Sequence, residues 1–477
     1  MKPKLRLARS LPLALAVIAS SAGGAHGQES FGGNIVLGRP TDRSVAVSVL
    51  FDRDQDQVAV EYGTEPGQLA RSTLTQANVR AGTPVELEIQ GLEPDRRYYY
   101  RVRHQQAGGG SAATSAEHSF HTQRAPGSTF TFTVVADSHL FTERHCNPDR
   151  YALTLRNAAA DQPDFHLDLG DTFRTDSIVR DQATLTEAQV RERVRAHRPY
   201  FGLLTHSAPL FLVQGNHDSE YLWYTKAESG MNPALPLWST NARKAYYPTP
   251  GPDGFYSGDP TVYPGVDGGR RNAVYAWEWG DALFVVLDPY WSMGRQGGGS
   301  WDEIHGDPQY FWFRDVLRRS RARYKFVFEH HVLGQMRGGV EVAGGYEWGG
   351  EDPRGQRTFA QMRPGWDRPM HDLMVENHVT AYVQGHDHLF AQGVLDGVLY
   401  VTAPMPGAGP PAAPDYFSGN EEGGNADAYP RSLVLPNSGH LRFTVSPSEV
   451  RMEYVTVALP GSDPGPNGAV VHTAVVR

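Results

Sequence analysis

Residues 209–218 read Pro-Leu-Phe-Leu-Val-Gln-Gly-Asn-His-Asp. The run from Pro209 to Val213 is apolar throughout and too short for a helix, which is the pattern of a strand buried on both faces. It stops at Gln214-Gly215, and the next three side chains, Asn216, His217 and Asp218, all hydrogen-bond or bind metals. In an α/β sheet, ligands gather beyond the carboxyl ends of the strands. A buried strand ending in such a cluster therefore predicts an α/β domain with a polar site at its strand ends.

The same construction recurs along the chain. Phe130 to Ala136 leads into Asp137-Ser138-His139, and Phe165 to Leu167 into Asp168-Leu169-Gly170-Asp171. Tyr324 to Phe328 leads into Glu329-His330-His331, and Thr380 to Val383 into Gln384-Gly385-His386-Asp387-His388. Five such strand ends can converge although 251 positions separate Asp137 from His388. In Asp-x-His and His-x-His the side chains at i and i+2 share one side of an extended segment and can reach a common centre. The donors are oxygen and nitrogen, which suit Zn, Mn or Fe. The single cysteine, Cys146, excludes an internal disulfide and a Cys-based zinc ribbon, and is read as a chance free thiol. Asp168 is open to two readings, support of a metal ligand or a simple turn cap.

Around these strands the sequence alternates strand and helix patterns. Helices are predicted over Asp149–Ala160, Thr184–Leu204 and Pro369–Glu376, and one starts at Asp307 as N-cap with Pro308 behind it. A hairpin is predicted over Ala273–Trp279 and Leu283–Leu287, and a C-terminal one over His440–Val445 and Val450–Val457. Trp277, Trp279 and Trp312 are expected in the core. Long Gly/Pro-rich stretches, Ser219–Arg271, Gly334–Gly365 and Pro404–Pro436, are expected to frame a functional site or to lack regular structure. Arg337 and Tyr290-Trp291 are candidates for pocket lining or for packing. Ahead of the Arg124–Gly127 linker, Asn34 to Thr122 reads as short alternating strands with turns between them. There Leu92-Glu93-Pro94 leads into a strand that places Tyr98, Tyr100 and Val102 on one face. Such a turn resembles the tyrosine corner of fibronectin type III sandwiches.

Composition bounds the function. The 477 residues are 40% hydrophobic and 20% charged, which excludes wholesale disorder and suggests two to three domains. Residues 1–27 read as a secretory signal peptide: Lys2, Lys4, Arg6 and Arg9 precede the apolar run Leu11–Ala19, which is too short to anchor a mature protein. Its removal takes the net charge from −9 to −13. An acidic chain is a poor fit to a nucleic-acid polymer. No later apolar stretch is long enough to span a bilayer. The mature protein is thus expected to be secreted or periplasmic, without a membrane anchor.

The ordered series Asp137-x-His139, Gly170-Asp171, Gly215-Asn216-His217-Asp218, His330 and Gly385-His386-Asp387-His388 resembles that of the calcineurin-like metallophosphoesterases. The match covers about residues 130–400, and the module ahead is similar to the N-terminal domain of purple acid phosphatases. The resemblance implies an α/β, two-sheet metallophosphoesterase sandwich flanked by helices over residues 128–460, preceded by an all-β, fibronectin III-like sandwich over residues 31–123. It implies two divalent or trivalent ions (Fe, Zn or Mn), one held by Asp137, His139, Asp171 and His388, the other by Asp171, Asn216, His330 and His386. A carboxylate such as Asp171 lets two cations sit about 3.5–4 Å apart and activate a water against a phosphoryl group. The series also leaves His331 open as a ligand in place of His330, or as a substrate contact. His217 would serve as proton donor or charge stabiliser, and Asp218 is expected to orient it. The implied reaction is hydrolysis of small phosphate monoesters. A phosphodiesterase acting on nucleotides or lipid headgroups, and a non-catalytic surface-binding protein, stand as alternatives. One departure is clear: purple acid phosphatases place a tyrosine ligand three residues after the bridging aspartate, and this chain has Arg174 there.

Overall fold

Strands Phe130–Val135, Phe165–Asp168 and Leu210–Leu212 pair in parallel, so their carboxyl ends line up on one edge. They occupy the middle of a nine-stranded sheet. On one side it continues through antiparallel strands Gly439–Val445, Val450–Thr456 and Val470–Val476. A second, eight-stranded sheet carries the parallel strands Ala282–Val286, Tyr324–Phe328, Ala381–Gln384 and Val398–Thr402. The computed structural model describes residues 31–142, 145–292, 300–302, 305–331, 337–408, 426–463 and 465–477. The leader expected at residues 1–27, and residues 409–425 of the long stretch Pro404–Pro436, lie outside the described residues.

Aromatic rings fill the space between the two sheets. Phe132 stacks on Phe443 at 4.7 Å and Phe211 on Trp277 at 4.0 Å, with Phe165, Phe284 and Phe326 packed among them. Alternate residues of the same strands, such as Leu283, Val285 and Val327, pack on the other side against the helices, and burial of both faces is why the runs read as continuous apolar segments. Trp277 and Trp279 are in the core between the sheets as expected, while Trp312 is only partly buried against the outer helical layer.

The N-terminal strands form a sandwich of their own. Gln55–Gly63 and Arg97–Gln106 centre a six-stranded sheet, which packs Val60, Tyr98 and Tyr100 against Ile35, Val47 and Leu87 of the facing layer. The Tyr98 hydroxyl accepts from the Glu93 N–H at 2.9 Å, closing the turn that Leu92-Glu93-Pro94 signals. The facing layer, strands Gly33–Gly38, Val45–Phe51 and Val85–Ile89, is also the far end of the nine-stranded sheet, joined to it where Gly38 meets Leu210 in parallel register. Nothing in the sequence signals that join.

Three helical expectations are corrected. The segment 184–204 is two helices, Glu187–Arg195 and Arg198–Thr205, because Pro199 cannot donate to a helix running through it and instead sits in the first turn of the second. The helix Asp307–Arg319 is preceded by Gly306 as N-cap, one residue before the expected Asp307. Ser219–Arg271 is not all loop. It holds the helix Leu235–Tyr246, whose Pro236 and internal Ser-Thr-Asn mask the periodicity.

That helix is pinned by a buried charge network. Glu220 accepts from Arg243, from Arg271 at 3.0 Å and from Thr240 at 2.9 Å, and Arg271 reaches Asp288 at 2.7 Å. None of the four charged side chains is more than 5% exposed. Removing one partner of such a set strands the others without water, a cost of about 3–5 kcal/mol. Glu220→Ala is accordingly expected to lower unfolding stability by that amount in a urea titration, and a loss under about 1 kcal/mol would show the network to be dispensable.

Candidate metal centre

All five motif clusters meet at one edge of the two sheets. Glycines make this approach possible. A Cβ on Gly215 would lie 2.1 Å from the Asp171 nitrogen, and one on Gly385 would lie 2.8 Å from Asp137 Oδ2. The loops therefore cross with only hydrogen between them. The turns are tight enough to force Asp137, His139, Asp171, His386 and His388 into left-handed backbone, with φ of 59°, 42°, 53°, 72° and 57°. Each such non-glycine residue costs of the order of 1–3 kcal/mol, a strain that clusters at functional sites.

The side chains fall into two overlapping groups. Asp137, His139, Asp171 and His388 each offer a ligand atom, all within 4.8 Å of one another, and so do Asp171, His330 and His386. Asn216 joins the second group, its Oδ1 lying 3.0 Å from His386 Nδ1. Asp171 belongs to both. Its Oδ1 accepts from the His217 N–H at 2.7 Å, which leaves Oδ2 at 3.7 Å from His139 Nε2 and 3.4 Å from His330 Nε2. Asp137 is fixed the same way. Oδ2 accepts from the His386 N–H at 2.8 Å, while Oδ1, fully buried, makes no hydrogen bond.

The tautomers point inward. His330 Nδ1 donates to the Leu169 carbonyl at 2.8 Å, so its Nε2 faces the carboxylates. Burial opposes charge on His330, yet Asp171 and Asp137 outweigh it and raise its pKa to about 9. His139 Nε2 and His388 Nε2 face each other at 2.9 Å beside Asp137. Carboxylate oxygens such as Asp137 Oδ1, buried without a donor and facing the Nε2 atoms of His139, His330 and His388, fit a cation better than they fit one another. His331 takes no place in either group: its ring packs at 4.1 Å from His386 and its carbonyl accepts from Tyr382.

The expected pairing of Asp218 with His217 is corrected. Asp218 is buried and spends both oxygens on main chain, accepting from Gly215 and Asp171 through Oδ2 and from Thr172 and Phe173 through Oδ1 at 2.7–3.0 Å. It ties the Gly-Asp loop to the Gly-Asn-His-Asp loop. The carboxylate on the His217 ring is Asp176, 2.5 Å from Nδ1. Burial disfavours the charged imidazole, but Asp171 and Asp176 more than offset this and raise its pKa. Asp176 sits in a short turn, Thr175–Ser177, with no spacing signal that could have marked it.

The other candidates divide. Asp168 is a turn cap: it accepts from the Gly170 N–H and the Thr172 hydroxyl, and burial lifts it to about 7. Tyr290 is buried with its ring 6.4 Å from that of His330, whereas Trp291 stacks under Arg271. Arg337 donates to the His386 carbonyl and lies 3.4 Å from Asp387, so its guanidinium braces the Gly-His-Asp-His loop. Cys146 is a buried free thiol.

Comparison with known proteins follows the same outline. The model of the calcineurin-like phosphoesterase family matches residues 130–390, and that of the purple acid phosphatase N-terminal domain matches residues 32–122. No curated protein matches the sequence. A solved structure of PhoD superposes at a TM-score of 0.63 and 15% identity, over 95% of this chain and 90% of that one. The purple acid phosphatase PPD1 from yellow lupin (Lupinus luteus) seeds superposes at 0.58 and 16% identity, over 92% of this chain and 73% of that one.

Proposed function

Since the chain belongs to the calcineurin-like phosphoesterases and is a metal-dependent phosphoesterase, we propose that it is an exported phosphatase that hydrolyses small phosphate monoesters with two metal ions (Fe, Zn or Mn). The observation that carries the reading is the pair of donor groups sharing Asp171, with His217 beside them. Asp137, His139, Asp171 and His388 would hold one ion, and Asp171, Asn216, His330 and His386 the other. Ions bound there would polarise a phosphoryl oxygen and lower the pKa of water.

The chain's own residues supply the rest. With Asp176 accepting the proton on Nδ1, the His217 imidazolium presents its second proton at Nε2 to the leaving-group oxygen. The Asp171–His217 main-chain bond keeps this donor in register with the bridging carboxylate. The choice of a monoester is supported by likeness to purple acid phosphatases in both parts of the chain. Export is supported by the leader-like residues 1–27. Among the described residues no helix is long and apolar enough to cross a membrane.

The test is elemental mass spectrometry on the purified mature protein, beside assays on paired chromogenic mono- and diesters before and after chelation. About two ions per chain and chelator-sensitive phosphate release from the monoester are expected. Cleavage of the diester alone would overturn the monoester choice. Protein that stays metal-free and inactive after Mn, Zn and Fe are supplied would favour a surface-binding role.

A further inference from the structure

Arg174 stands where the purple acid phosphatase resemblance would place a tyrosine ligand, and among the described residues its side chain meets no acceptor but His139. Its Nη1 lies 3.5 Å from His139 Nδ1, and its buried Nε has no hydrogen-bond partner. Among the described residues no carboxylate lies within 4.0 Å of it, which is unusual for a partly buried guanidinium. Its backbone is left-handed, with φ 51°, and is clamped there by Arg193 and Ser177, both donating to its carbonyl. The chain thus spends strain to hold this side chain beside the centre.

The single contact with His139 also depends on which nitrogen carries the proton. His139 Nε2 faces Asp137, Asp171 and His388. Once that nitrogen gives its lone pair to a cation, the ring proton sits on Nδ1, which is then a donor and cannot accept from Arg174. The guanidinium is left with its donors unspent. Its Nη1 lies against His139, whose ring is 5.6 Å from that of His217, so it stands next to the position between ligand and proton donor.

From this juxtaposition we infer that Arg174 is a substrate-binding residue, donating to the non-bridging oxygens of the phosphoryl group while His217 serves the leaving oxygen. A planar fork of N–H donors matches two phosphoryl oxygens, which an ammonium or a phenol cannot do. The inference rests on the phosphatase reading above.

Titration calorimetry with inorganic phosphate on the metal-loaded full chain tests it, with metal content measured on the same samples. Arg174→Ala is expected to weaken phosphate binding about 10- to 100-fold, the range of a charge-assisted hydrogen bond, and to keep its metal. Arg174→Lys keeps the charge but not the fork, and is expected to recover only part of the loss. Phosphate affinity in Arg174→Ala within twofold of the parent would overturn the inference, and so would loss of metal, which would make Arg174 a support for His139. If the parent protein itself neither binds phosphate nor cleaves an ester, the phosphatase reading fails first, and the inference with it.

Discussion

Replacing Asp171 by Asn should empty both ion positions together and lower phosphate-ester hydrolysis by about 10³-fold or more, the rate equivalent of the several kcal/mol that metal catalysis supplies. The reason is the division of labour between its two oxygens. Oδ1 is committed to the His217 N–H at 2.7 Å, so an asparagine would keep its carbonyl there and turn its amide nitrogen inward. That nitrogen would replace Oδ2, which lies 3.7 Å from His139 Nε2 and 3.4 Å from His330 Nε2. A neutral donor would then face two imidazoles and repel any cation. Among the described residues of the two groups Asp137 is the one other carboxylate, and it belongs to the first group alone. The measurement is metal per chain by elemental mass spectrometry alongside turnover. Retention of both ions, or activity within tenfold of the parent, would show that Asp171 does not bridge.

His217→Ala is expected to lower turnover by about 10²–10⁴-fold, the usual contribution of a positioned proton donor, while metal content stays at the parent level. His217 belongs to neither donor group, and its side chain is about a third exposed, so its loss should not disturb the fold. Asp176→Asn should cause a smaller fall, about 10- to 100-fold, because the amide can still meet Nδ1 but no longer stabilises the imidazolium. Asp218→Asn is expected to behave differently, as a stability variant, because Asp218 holds four main-chain N–H groups and no imidazole. Loss of metal in His217→Ala would assign His217 to the ion site instead, and unchanged turnover would remove it from the reaction.

The contrast between Asp176 and Asp218 shows where local reading stops. Asp218 is adjacent to His217 in the chain and carries the motif, yet the Gly-Asp and Gly-Asn-His-Asp loops cross so closely that their amide groups need an acceptor, and Asp218 is the nearest. The orienting carboxylate then comes from Asp176, 41 positions away and without any motif. Arg174 was legible only as a departure from a pattern; that its guanidinium meets no carboxylate among the described residues depends on which elements surround it. The helix Leu235–Tyr246 is hidden in the sequence because Pro236 and Ser239-Thr240-Asn241 mask its pattern, while Leu235, Ala242 and Tyr246 pack into a core built from distant segments.

The sequence by itself determined the strand-end construction: short apolar runs that must be buried, each closed by oxygen and nitrogen donors. It did not determine how those donors converge, since Asp137, His139, His386 and His388 stand on left-handed turns and not on the extended segment their i, i+2 spacing suggests. It also determined the glycines that let those ends approach, and the Leu92–Tyr98 turn of the N-terminal sandwich. These are properties of a few consecutive residues, set by side-chain volume, hydrogen-bonding capacity and backbone sterics. The tertiary structure decided the joining of the two sandwiches at Gly38 and Leu210, the partner of His217, and the placing of Arg174 beside His139. Each of those depends on which buried polar group has its demand met by another part of the chain, and burial is a property of the whole fold.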